Sequence, residues 1–374
     1  MKFSCEKSVL QSAISMTSRA VSAKSTIPAL HGLLVKCDCD NLTICGYNMT
    51  VGIRTVVPVE SSDVGAVVLD AAMFGNIVSK MPDDVVTVKV DSNLAATLTA
   101  GDATFNIVGI QAEDFPQLPE IEEKYTVELP EKKLRAIVQQ TAFAVSVNEA
   151  RPVYTGSLFE VKGNSLTVVT MDGSRLAVRR DVLEESAHED FSFVVPESAL
   201  SECEKICEDI DSNVKITLGE KHIMFSMGQS EVICRRLEGS FLDYSSAIPK
   251  NSPISIVVDT KKVLESIDRV SVVVSQKFKS PVRCTFDCNE LKMSAKTTTG
   301  DARDVCRTKG DGNGLVIGFN GKFLSDAVRH APTETVKIGL NTPTSPAVIE
   351  AADGSSSFTY LVLPVRLKAD EVKR

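Results

Sequence analysis

Along the chain, short alternating apolar segments give way to a polar or proline break, and then to apolar residues spaced three and four apart. That switch from period two to period 3.6 predicts a strand followed by an amphipathic helix of about three turns. It occurs six times, with breaks at residues 5–10, 69–74, 129–134, 195–200, 258–263 and 319–324. Measured from the last residue of each break, the gaps are about 64, 60, 66, 63 and 61 residues, a period near 62 that six times over fills the chain.

The break chemistry suits helix starts. Asp70, Asp259 and Asn320 are expected caps, because a short polar side chain accepts from amides that a helix start leaves free. Pro130 and Pro196 are expected in a first turn, where no donor is needed. Apolar stripes such as Val9, Leu10, Ala13 and Ile14, or Phe323, Leu324, Ala327 and Val328, predict one buried face per helix. Alternating runs at 85–90, 214–218 and 336–340 predict half-buried antiparallel strands after the helices. The fold class is therefore α+β, built from six helix-plus-sheet units. One helix on a few strands buries too little surface to stand alone, whereas a pair of units can form a core. Polar, proline-bearing stretches at 117–123 and 248–253 then divide the chain into three similar domains, 1–122, 123–250 and 251–374. An ordinary protein whose helices and strands alternate by chance is the alternative to a true repeat.

Charge narrows the functions available. The formal charge of -8, from 41 Lys and Arg against 49 Asp and Glu, excludes holding DNA or an anionic membrane by bulk attraction. No apolar run approaches the roughly 18 to 20 residues of a membrane span, and the first residues do not read as a signal peptide, so the expectation is cytosolic. Ten cysteines scatter without any Cys-x-x-Cys pair. Cys37 and Cys39 are spaced for one strand face and Cys203 and Cys207 for one helix face, which predicts small buried thiols, no disulfide and no metal.

Catalytic signals are weak. His31, His188, His222 and His330 lie far apart, with no metalloprotease spacing. The glycine-rich run at 310–314 lacks both the strand-to-helix placement and the Gly-Lys-Ser/Thr ending of a phosphate loop, and reads as a turn. The stretch at 172–175 lacks Gly-x-Ser-x-Gly and a paired histidine. The expectation is no catalytic residue and no cofactor.

Short stretches at 26–30, 33–34, 114–116, 158–160, 172–178, 239–244, 248–251, 317–320 and 360–367 occur in one order on top of the six-fold repeat. With them, the chain resembles the bacterial sliding clamp family, the beta subunits of DNA polymerase III holoenzyme, over nearly its whole length. The resemblance implies a head-to-tail homodimer whose six clamp domains close into a ring around double-stranded DNA, without regard to sequence, with helices lining the hole and sheets outside. It implies a processivity factor that tethers the replicative DNA polymerase and also binds the clamp loader and repair proteins through short peptide motifs, in the cytoplasm and at the nucleoid during replication. The alternative is a non-enzymatic interaction scaffold of the same fold that does not encircle DNA.

By position, the resemblance assigns a peptide-binding pocket to Tyr154, Met171, Gly173, Ser174, Arg175, Leu176, Leu242, Ala247, Asn320, Phe323, Pro346, Leu361, Leu363, Pro364, Val365 and Arg366. An apolar cleft with a few polar guides is what an extended peptide with one or two anchors requires. Met171, Ser174, Leu242 and Pro346 stand where the family more often has Thr, His, Pro and Ser, which points to a different partner preference. The tail Lys368–Arg374 runs past the family's usual end. Without the resemblance, Leu361 to Val365 reads as a buried final strand. Phe105, Ile107, Val272 and Val273 match the family's apolar dimer contacts, ordinary core being the other reading.

Over the same fourteen positions from each break, the six copies carry about +1, -1, +2, -4, 0 and +1. The helices are thus less acidic than the rest. With charges screened over about 8 Å at physiological salt, scattered basic residues near phosphates suffice for weak, sequence-independent contact. Lys24, Arg151, Lys277 and Lys279 are candidate DNA contacts by family position, and Lys132, Lys133 and Arg135 by the helix pattern; solvated surface charge is the competing reading for each. At Ala72, Pro152, Val153 and Ser198 no family-type basic or aromatic contact is available.

Overall fold

The computed structural model describes residues 1–208, 211–274, 280–355 and 357–367. Among these residues, six α-helices follow the six breaks: α1 (Lys7–Thr17), α2 (Ala71–Lys80), α3 (Glu131–Thr141), α4 (Glu197–Ile206), α5 (Thr260–Ser271) and α6 (Gly321–Arg329). Three begin on the caps expected of them. Asp70 accepts from the Met73 amide at 2.7 Å and Asp259 from the Lys262 amide at 2.9 Å, while Asn320 accepts from the amides of Lys322 and Phe323. The prolines differ from expectation by one step. Pro130 and Pro196 are the last residues of strands Tyr125–Pro130 and Phe191–Pro196, so each closes a strand rather than opening a helix. Each of these strands is the outer one of its sheet among the described residues, where proline is tolerated.

Two compact units form, Met1–Arg135 with Ser198–Arg236, and Ala136–Glu197 with Leu237–Arg374. Among the described residues, the first holds a five-stranded and an eight-stranded sheet, and the second a ten-stranded sheet, with every ladder antiparallel. Their strand order departs from the simple unit that the repeat predicts. Strand Lys2–Glu6, which leads into α1, pairs with Val85–Val90, which follows α2. Conversely Gly65–Asp70, which leads into α2, pairs with Gly32–Cys37, which follows α1. The same exchange joins Tyr125–Pro130 to Asn213–Leu218, Phe191–Pro196 to Gly156–Lys162, and Ile254–Asp259 to Thr335–Leu340. Alternation fixes which face of a strand is buried; the ladder partner is a long-range choice on which local pattern is silent.

Helix stripes and inner sheet faces make the cores. In the first unit Leu10, Ile14, Phe74 and Val78 pack with Leu33, Val35, Val86 and Val88. In the second, Val263, Ile267, Leu324 and Val328 pack with Phe286, Phe319 and Tyr360. Full burial of each such side chain contributes about 1.5–3 kcal/mol.

All ten cysteines are free thiols, and only Cys39 and Cys288 are exposed. Cys39 lies past the end of Gly32–Cys37, so it shares no strand face with Cys37. Burial pushes the Cys45 and Cys234 thiols up to about 12. Residues 310–314, expected as a turn, lie instead inside the long strand Asp301–Phe319, where the pairing with Val282–Lys296 is irregular and the backbone is left-handed at Gly310, Asn313 and Gly314. Among the described residues, no group of His, Cys, Asp and Glu could hold a metal, and no helix is long and apolar enough to cross a membrane.

Candidate peptide-binding cleft

Strand Arg175–Val182 pairs with Phe358–Val362, with Arg175 opposite Val362 and Leu176 opposite Leu361. This register brings the 171–176 turn beside the end of the chain, two segments far apart in sequence. The strand then stops at Val362, and the backbone is held beyond it by single bonds, from the Leu363 amide to the Ser174 carbonyl at 2.9 Å and from the Val365 amide to the Gly318 carbonyl at 2.7 Å. Pro364 cannot donate to a ladder, which suits this early stop. Leu361 is buried, but Leu363 and Val365 are 40% and 38% exposed, so the expectation of a wholly buried final strand fails where the proline begins to act.

Beneath the surface lies a core of Val153, Leu158, Leu176, Val178, Val348 and Leu361, against which Tyr154, Met171, Phe241 and Ile248 are partly buried. Tyr154 meets Phe241 edge to face at 5.3 Å. Tyr244 donates to Glu160, and burial, followed by that bond, pushes its hydroxyl well above the ordinary tyrosine range. Leu242 is 53% exposed and Ala247 is also exposed. Leu242, Ala247, Leu363 and Val365 are thus left as exposed apolar side chains in the segments around this core.

The turn itself is built by Asp172. Its Oδ1 accepts from the amides of Ser174 (2.8 Å) and Arg175 (3.1 Å), and Gly173 between them has φ +87°. A methyl group at Gly173 would meet nothing within 4 Å, so glycine is needed there for its backbone while the space above stays open. Arg175 lies under this turn with its guanidinium 4.4 Å from the Phe323 ring centre. Its Nε donates to Asp172 and its Nη1 to Asp326. Asn320 serves its helix cap, Pro346 is half-buried beside the strand Ala347–Ala351, and Arg366 is exposed. Phe143, Phe241, Tyr244, Asp326 and His330 belong to the same neighbourhood; Phe241 and Tyr244 come from the 239–244 stretch that carries the resemblance, whereas Phe143, Asp326 and His330 reach it through long-range packing with no local motif to announce it.

The other predicted sites separate into exposed and buried residues. Strand Ala103–Val108 is the outer strand of the five-stranded sheet, pairing only with Ala95–Ala100 among the described strands. Phe105 on it is 37% exposed. Ile107, by contrast, is buried in the first unit's core, so it supports the strand instead of facing a partner. Val272, one residue past α5, is 82% exposed, whereas Val273 is half-buried against the second unit's core. Nearby, Asp301–Arg307 pairs only with Glu290–Lys296 among the described strands, and it carries the exposed Val305. Asp304 on that segment accepts from Ser266 Oγ (2.5 Å) and Arg269 Nε (2.8 Å). Burial pushes its carboxyl up, but these bonds outweigh burial and hold it below the ordinary aspartate range.

Of the basic candidates, Lys24 and Arg151 are exposed, and Lys133 and Arg135 are half-buried. Lys132 is exposed but paired with Asp211 at 2.6 Å. Val153 is buried, which removes it from any surface contact. Lys277, Lys279 and the tail Lys368–Arg374 lie outside the described residues.

Three sequence profiles match: the N-terminal domain of the DNA polymerase III beta subunit over residues 1–119, the central domain over 128–243 and the C-terminal domain over 245–366. The beta sliding clamp of Halalkalibacterium halodurans is 32% identical over 380 residues, covering 98% of this chain and 100% of the relative. That of Bacillus subtilis is 28% identical, and its crystal structure superposes with a TM-score of 0.95 over 98% of this chain and 100% of that one. The Pseudomonas aeruginosa sliding clamp bound to griselimycin gives a TM-score of 0.93 at 25% identity, covering 98% of this chain and 100% of that one.

Proposed function

Because the chain belongs to the DNA polymerase III beta-subunit family, the bacterial sliding clamps, we propose that it is a processivity factor acting as a closed homodimeric ring around duplex DNA. Two open sheet edges on one chain carry the reading. Head-to-tail closure needs two different surfaces, and strand Ala103–Val108, with exposed Phe105 on it, and the segment 301–307, with exposed Val272 nearby, offer one each. Three domains with bounds 1–122, 123–250 and 251–374, two repeats in each, fit this arrangement, and the profile spans support them.

The replicative polymerase, the clamp loader and repair proteins insert short peptides at the cleft of Leu176, Leu242, Leu361, Leu363 and Val365. DNA passes through the ring without sequence readout, contacted weakly by residues such as Lys24, Arg135 and Arg151. Catalysis has no part in this function, and the protein works in the cytoplasm at the nucleoid. The test is retention on DNA after loading. Nicked circular plasmid should keep the protein through gel filtration, and linearising the plasmid should release it; equal retention on both forms would refute encirclement.

A further inference from the structure

We infer that Asp172 and Asp326 are positioning residues that hold Arg175 as a charge-compensated wall of the cleft, so that the cleft rejects a peptide with an acidic anchor. The inference rests on the peptide-binding reading above.

Arg175 is 10% exposed and is gripped from two sides. Its Nε donates to Asp172 Oδ2 at 2.9 Å, and its Nη1 donates to Asp326 Oδ2 at 2.6 Å. Each carboxylate stands on a defined element. Asp172 is tied to the turn by two backbone amides, and Asp326 stands on α6 three residues after Phe323, whose ring lies against the guanidinium. Behind this layer, Phe143 lies 5.7 Å from the guanidinium carbon and stacks on His330 at 4.8 Å. His330 Nδ1 in turn donates to the Asp326 carbonyl at 2.7 Å.

Two carboxylates against one guanidinium leave a local charge of -1, so a cation in a family-assigned pocket does not make this pocket an anion site. A peptide carboxylate brought against Arg175 meets two like charges and loses water, while the guanidinium charge there is already taken up by Asp172 and Asp326. A leucine-like side chain fares differently, because a guanidinium stacked on aromatic rings is weakly hydrated and offers a flat apolar face. The remaining guanidinium N–H groups suit neutral acceptors, such as the backbone carbonyls of an extended peptide. The predicted ligand is therefore a peptide with neutral apolar anchors, its acidic residues kept away from Arg175.

The test uses the full-length protein and fluorescence anisotropy with labelled peptides tiled across the cognate replicative polymerase and clamp loader. The tightest binder is compared with versions in which each apolar anchor in turn becomes glutamate. Wild type should bind at least one glutamate version about tenfold or more weakly than the parent. In Asp326→Asn the released guanidinium should cut that preference several-fold, chiefly because the glutamate version gains affinity, and Asp326→Glu should restore it. Asp172→Asn probes the same grip from the other side, and thermal unfolding identifies any variant that has simply lost its fold. A preference unchanged in a folded Asp326→Asn or Asp172→Asn protein overturns the inference while leaving the cleft in place. If no peptide binds wild type, the cleft reading itself falls, and this inference with it.

Discussion

Leu363 and Pro364 show what a single position can decide. The proline ends the ladder, and the leucine before it is left half out of the core. Leu363→Ala with Pro364→Ala should therefore weaken binding of a polymerase-derived peptide by at least tenfold, while light scattering still reports a dimer; unchanged affinity in an anisotropy titration would remove these residues from the cleft. Both segments of this candidate site stand out in the sequence, since the stretches at 172–176 and 360–366 carry the resemblance, and sheet pairing brings them side by side. The support behind them does not. Asp326 is 151 residues from Arg175, and Phe143 meets His330 across most of the second unit's sequence. Such contacts follow from sheet register and helix packing, which act at long range and leave no periodic trace.

Helices were more legible than strands. A helix closes its own hydrogen bonds, so stripe, cap and length are all local, and α2, α5 and α6 start on Asp70, Asp259 and Asn320 as their caps require. Strands satisfy their backbones elsewhere, and the exchange of lead strands between paired repeats could not be read from alternation. Open edges are the functional counterpart of that dependence, because each presents unpaired donors and acceptors that a second chain can use. Placing a charge beside either edge should open the ring. Phe105→Asp and Val272→Asp are each expected to yield monomers in light scattering, and neither removes a buried core side chain. A dimer in both variants would locate the joint elsewhere.

For the whole molecule, a charge of -8 and a duplex of opposite preference are reconciled if retention comes from closure and not from affinity. Contacts made by neutralising phosphates weaken steeply with salt, roughly in proportion to their number. Raising the salt from about 50 to 200 mM should consequently leave most loaded protein on circular DNA, while any residue bound to linear DNA disappears; a parallel loss from both, measured by filter retention, would mean electrostatic binding. The exchanged lead strands set a further rule, one of heredity. A repeat gives its first strand to its sister's sheet and receives the sister's in return, so a lone extra repeat would leave one strand without a sheet and one sheet without its strand. Gain or loss by duplication or deletion should thus be tolerated only in twos, and the smallest unit this architecture can inherit is the pair.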